Sequence, residues 1–145
     1  MKNLEEAIKT ATAAVFHFGL LTHTAHFNVI GPRFYELHIL LERIYQDVEA
    51  SFDDFGEHIR ALDIMCPHSL KEYMILTPLQ DTGNVTSSSQ LIHDLLVNNE
   101  LLIEVLNEVN NLSTSHIGLQ NFIQGRVEVH EKHGWMLRAT LELGK

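Results

Sequence analysis

Among the residues between 38 and 57, His38, Glu42, Asp53 and Glu57 are of metal-ligating type and lie off the apolar stripe. Wound into one α-helix at about 100° per residue, they fall within an arc of roughly 100° of its surface. A fifth, His26, lies just across Gly31-Pro32, a pair that ends one helix and opens the next. Imidazole with several carboxylates is the donor mixture of iron or manganese, unlike a thiolate-rich zinc site. A solvated helix face with incidental histidines has the same composition, so spacing must separate the two readings. Glu42 and Asp53 stand eleven residues apart, roughly 16 Å along a straight helix, whereas metal–ligand bonds are only about 2 Å long. No glutamate has a histidine three positions later, the pattern an intrachain di-iron bundle takes from two of its helices. Either the two clusters are unrelated, or two copies of the helix run antiparallel across a two-fold axis. In the second case His38 and Glu42 of one chain face Asp53 and Glu57 of the other, and the symmetry makes two such sites per pair.

The elements that must position these residues are helical throughout. Leu4, Ile8, Ala11, Val15, Phe18 and Leu21 recur at threes and fours and predict a helix from about Asn3 to Asn28. Phe34, Leu37, Leu41, Ile44, Val48, Phe52, Phe55, Ile59 and Leu62 predict a second helix of about eight turns with a continuous core stripe. Cys66-Pro67 is expected to stop it. A connection of some twenty residues follows, with a short helix near Leu70–Leu76 and a turn at Asp81-Thr82-Gly83-Asn84. Ser87 and Gln90 form a capping-box pattern that opens a third helix, Leu91 to about Val109. The polar run Asn110–Ser115 is expected to break it, and a fourth helix runs from about Ile117 to Leu143 with Leu119, Phe122, Val127, Leu137 and Leu141 on its apolar side. Strand patterns are missing. The expected fold is all-α: one domain over residues 1–145, a ferritin-like four-helix bundle whose long middle crossover carries a short extra helix.

Composition restricts the partners. Ten Lys+Arg against nineteen Asp+Glu give a net charge of −9, with no basic block to neutralise phosphates, so DNA binding is not expected. No stretch reaches the roughly 20 apolar residues of a bilayer span, and acids at the start argue against a secretory signal. One cysteine, Cys66, fits a reducing compartment, which makes the expected location cytoplasmic. Ten histidines are the unusual feature, and their positions decide their meaning.

The stretch His26-Phe27-Asn28-Val29-Ile30-Gly31-Pro32-Arg33-Phe34-Tyr35-Glu36-Leu37-His38, with Glu42, Asp53 and Glu57, resembles the signature of the Dps-like miniferritins. The run His130-Glu131-Lys132-His133-Gly134-Trp135-Met136-Leu137-Arg138-Ala139 is similar to that family's motif on its last helix. The likeness covers nearly the whole chain. It implies a homo-oligomeric, dodecameric shell that binds ferrous iron, oxidises it with hydrogen peroxide or oxygen, and stores ferric mineral. By that likeness the iron ligands are His26, His38 and Glu42 of one subunit with Asp53 and Glu57 of its two-fold mate, the second of the two readings that the distance argument leaves open. The alternative within the same fold is a non-catalytic DNA-protecting nucleoid protein. Some positions depart from the family pattern. Phe27 stands where a tryptophan is usual, Gly56-Glu57-His58 replaces Ala-Glu-Arg, and His116 and Asn121 fall where acidic pore residues are expected. The lysine-rich tail of DNA-binding relatives has no counterpart.

Other residues carry weaker signals. His130-Glu131-Lys132-His133 fails the zinc-protease spacing, which needs histidine at position 134. Trp135 and Met136 are expected in the core, Cys66-Pro67-His68 at a plain helix terminus, and His17, His23, His93 and His133 at the surface or satisfied in the core. Asp47 and Asp54 are expected either to line an interior or to be open to solvent.

Overall fold

Asn3 starts the first helix, α1 (Leu4–Asn28), through a reciprocal capping box. Its Oδ1 accepts from the Glu6 amide at 2.9 Å, and the Glu6 carboxylate accepts from the Asn3 amide at 3.3 Å. The computed structural model describes residues 2–84 and 87–141. After α1 the chain turns at Gly31, whose φ of 100° suits glycine, and enters α2 (Phe34–Ala61).

α2 ends before Cys66-Pro67, earlier than the proline suggests. Asp63 adopts φ 60°, its amide donates to Arg60 O at 3.0 Å, and the Ile64 amide donates to Ile59 O at 3.2 Å. That is a Schellman closure with aspartate in the position glycine usually takes. The connection then carries α3 (Leu70–Leu76), capped by Ser69. α4 spans Ser88–Leu112 and α5 spans Ile117–Thr140. α4 is therefore longer than its apolar pattern at both ends. Ser87 Oγ accepts the Gln90 amide as expected, but the Gln90 side chain reaches forward to Asp94 at 2.7 Å, so the box is only half made. The polar run breaks the chain at Ser113, after Asn110 and Asn111 have been taken into the helix. Leu143, the expected end of the last helix, lies outside the described residues.

The helices form an all-α four-helix bundle with one long crossover. α1 packs on α2 and α4, α4 packs on α5, and α3 lies against α1. Ser88 Oγ exchanges hydrogen bonds with both the amide and the carbonyl of Ile30, at 2.9 Å each. This puts the start of α4 at the same end of the bundle as the start of α2. The crossover must therefore return the length of α2, about 42 Å for 28 residues. Two clasps hold it. Asn98 bonds both the amide and the carbonyl of Gln80 at 2.9 and 3.0 Å, and His17 bonds Thr77 and Asp81 at 3.0 and 2.7 Å. No helix among the described residues is long and apolar enough to cross a membrane.

Ile8, Phe18, Leu41, Ile44, Phe55, Ile59, Ile92, Leu102, Leu106, Ile123 and Leu137 are fully buried. Through this apolar core runs a polar network that ties α2, α4 and α5. Arg126 forks onto Asp47 at 3.0 and 2.8 Å, and His133 Nε2 donates to Asp47 Oδ2 at 2.9 Å. His130, with no exposed surface, donates Nδ1–H to Asn99 Oδ1 at 2.8 Å and accepts from Arg126 on Nε2 at 3.3 Å. Burial first, then the Arg126 charge, holds the His130 pKa well below the usual histidine value, so it is neutral. Burial alone would raise the Asp47 carboxyl, but the hydrogen bonds from His133 and Arg126 and their charges hold it well below the ordinary carboxylate range. Asp47, one third exposed, closes an ion pair with Arg126 and His133. His133 is a satisfied core histidine, as expected. Trp135 is not core; it is 59% exposed, because the inward positions of that turn are taken by His133, Gly134 and Leu137.

Candidate metal centre

His26, in the last turn of α1, and His38, in the second turn of α2, lie face to face, with ring centroids 3.6 Å apart and planes at 16°. Each donates from Nδ1 to the other's backbone carbonyl: His26 Nδ1 to His38 O at 2.7 Å, and His38 Nδ1 to His26 O at 2.9 Å. A carbonyl can only accept, so each Nδ1 carries a proton and the opposite nitrogen, Nε2, is turned away from that bond. Two imidazoles, with no hydrogen-bond partner on either Nε2 among the described residues, are thereby fixed side by side. The His26 carbonyl is one of the orphan acceptors at a helix C-terminus; its usual partner, the Ile30 amide, is engaged by Ser88. Phe34 stacks on His38 at 4.9 Å, which gives this half-exposed phenyl a role other than the core position its periodicity suggests. Tyr45 meets His26 edge-on at 5.1 Å. Burial first, then the charges of Glu42 and Glu49, raise the Tyr45 phenol above its usual pKa. Phe27, at the usual tryptophan position, is 64% exposed and packs beside His23 and His26.

The second cluster lies further along α2. Asp53, Asp54 and Glu57 are all exposed, and each offers a carboxylate oxygen within 4.8 Å of the others. Asp53 and Glu57 are expected ligands. Asp54 is an addition, brought in by its place beside Asp53 in sequence. Between the clusters Glu49 Oε1 accepts Nδ1–H of His23 at 2.7 Å. One chain thus holds His26 and His38 together near Glu42, and Asp53 and Glu57 together, as two separate half-sets about 16 Å apart along α2. Beside Glu49 and Phe52, the exposed Phe16 and Leu20 of α1 border a groove that Leu70 and Met74 of α3 continue, and a groove of about 520 Å³ runs from Asp53 and Glu57 past Phe52 to Tyr73. Of the remaining histidines, His58 stacks on Phe122 at 4.6 Å, and His68, His93 and His116 are exposed. Cys66 rests against Gly56 O at 3.5 Å, at the end of the bundle where α2 stops.

Known proteins share this fold. The family model for the ferritin-like domain matches residues 5–145. A low temperature-induced protein of Nostoc sp. is 30% identical over 125 residues, covering 83% of this chain and 70% of its own. The DNA protection during starvation protein 2 of Bacillus anthracis is 26% identical, covering 82% and 83%. The Dps crystal structure from Vibrio cholerae, described as a member of a broad superfamily of ferritin-like diiron-carboxylate proteins, superposes with a TM-score of 0.89 at 25% identity, covering 95% of this chain and 88% of its own. Dps from Thermosynechococcus elongatus superposes with a TM-score of 0.92 at 24% identity, covering 95% and 89%. The chain belongs to the ferritin-like family, as a Dps-like miniferritin.

Proposed function

We propose that this protein is a ferroxidase and iron-storage subunit whose oxidation sites are completed only between two copies of the chain. The observation that carries this reading is the reciprocal lock of His26 and His38. It presents two ligating nitrogens beside Glu42 and leaves Asp53 and Glu57 too far along the same helix to join them. An antiparallel second copy supplies the missing carboxylates with one register. Four residues back from Glu42 to His38 are matched by four residues on from Asp53 to Glu57, so both pairings share one two-fold axis. The exposed apolar side chains of α1 and α3 on this face give the second copy a surface to bury.

Iron is the substrate here. Hard carboxylate donors stabilise ferric over ferrous iron, and neutral imidazoles complete a set suited to that change. Hydrogen peroxide takes one electron from each of two ferrous ions, its O–O bond breaks, and with two protons it leaves as two waters. The ferric product is then held as mineral inside a closed homo-oligomer, a dodecamer by the family likeness, in the cytoplasm. Ferrous iron is added anaerobically to the purified assembly, then peroxide or oxygen in separate runs, and ferric absorbance is followed. Oxidation well above the buffer control, with two irons per peroxide, is the expected result. Oxidation no faster than buffer alone, in correctly assembled protein, contradicts the proposal.

A further inference from the structure

His26 and His38 hold each other, but the two closest restraints on the His26 ring, the hydrogen bond and the stack, both come from residue 38. The torsion that turns a histidine ring is broad, so a ring held from one side needs a second support. Tyr45 supplies it, in edge-to-face contact with His26 at a centroid separation of 5.1 Å and an interplanar angle of 69°. A half-exposed phenol ring would itself swing if nothing held it. It is pinned by His23, whose ring lies flat on it with centroids 3.8 Å apart and planes at 7°. His23 is pinned in turn, because its Nδ1 donates to Glu49 Oε1 at 2.7 Å. The contacts run Glu49, His23, Tyr45, His26, and each step crosses between α2 and α1. Sequence spacing builds this row. Tyr45 comes three residues after Glu42 and His23 three before His26, so each stands about one turn from a proposed ligand on its own helix.

We propose that Tyr45 is a positioning residue of the metal centre: backed by His23 and Glu49, it fixes the His26 imidazole in the orientation that binds the ion. This rests on the reading of His26 and His38 as ligands and adds to it the side chains that orient one of them. What Tyr45 contributes is its ring, and what Glu49 contributes is its hydrogen bond to His23.

The test titrates the assembled protein anaerobically with cobalt(II), whose visible bands report the geometry around the ion. Tyr45→Leu removes the aromatic wall. It should bind cobalt(II) about two- to tenfold more weakly, the worth of one aromatic contact, with displaced visible bands. Tyr45→Phe keeps the ring and should recover both affinity and bands. Glu49→Ala, at an exposed position, should give a smaller loss in the same direction, and Glu49→Gln, which still accepts from His23, should recover it. Light scattering verifies assembly, and the Glu49 pair decides alone where Tyr45→Leu does not assemble. Wild-type affinity and bands in Tyr45→Leu or in Glu49→Ala overturn the inference. Tyr45→Phe as weak as Tyr45→Leu also overturns it, since the hydroxyl and not the ring would then act. Glu49→Gln as weak as Glu49→Ala does the same, since charge would then act without the hydrogen bond. In all these cases a loss of cobalt affinity in His38→Ala leaves the ligand pair standing. Wild-type affinity in His38→Ala overturns both.

Discussion

His26 and His38 are positioned through each other's main chain, so the orientation of each ring depends on the helix that carries the other. Removing His38 takes away a proposed ligand and also the donor that satisfies the His26 carbonyl. His38→Ala should therefore weaken cobalt(II) binding at this pair by at least about tenfold, measured by anaerobic titration; an unchanged affinity would show that the imidazoles are not ligands. Asp63 tests the same kind of local logic away from the site. Its φ of 60° closes α2 at a position where glycine carries no steric cost. Asp63→Gly should raise stability by up to about 1 kcal/mol, seen as a thermal midpoint a few degrees higher. A lower midpoint would mean that the aspartate side chain, not the backbone geometry, matters there.

The helices explain what was legible from sequence and what was not. The stripe Leu37, Leu41, Ile44, Val48, Phe55 and Ile59 is buried as its spacing predicts, because one continuous apolar face has only one way to pack. The ligand-type residues were legible for the complementary reason: they share a face that the core does not use. The network of Asp47, Asn99, Arg126, His130 and His133 was not legible. Arg126, His130 and His133 at four- and three-residue steps look like a solvated face until Asp47 and Asn99 arrive from α2 and α4. Trp135 failed in the converse way, since a large apolar residue was expected inward on a turn whose inward places go to histidine and glycine. The network also makes bundle stability depend on pH. His130 is kept neutral, so the unfolded chain binds a proton that the folded chain does not. Its contribution is complete above the ordinary histidine value of about 6.5 and is lost as pH falls below it, by up to about 1.4 kcal/mol per pH unit. Asp47, whose pKa is depressed, keeps its contribution down to the ordinary carboxylate range and loses it only below that. Denaturant unfolding at pH 7, 6 and 5 should show falling stability for the wild type and a flatter profile for His130→Gln. Equal slopes would remove His130 as the cause.

At the scale of the whole molecule, charge and symmetry set the behaviour. A net charge of −9 is repeated in every copy, so nonspecific DNA affinity, which depends on phosphate neutralisation, should be negligible at neutral pH and about 150 mM salt. A clear gel shift of plasmid DNA under those conditions would contradict this and favour the DNA-protecting alternative. The central claim is that each oxidation site takes ligands from two chains, and mixing two damaged chains tests it most directly. His38→Ala and Asp53→Ala are each expected to be inactive as ferroxidases. Unfolded together and reassembled at equal amounts, they form mixed two-fold pairs in half of cases. In each mixed pair one site collects both lesions, and the other receives the intact Asp53 of the first chain and the intact His38 of the second. Ferrous oxidation should therefore return to about a quarter of the wild-type level. Recovery near zero in a correctly assembled mixture would contradict the shared site.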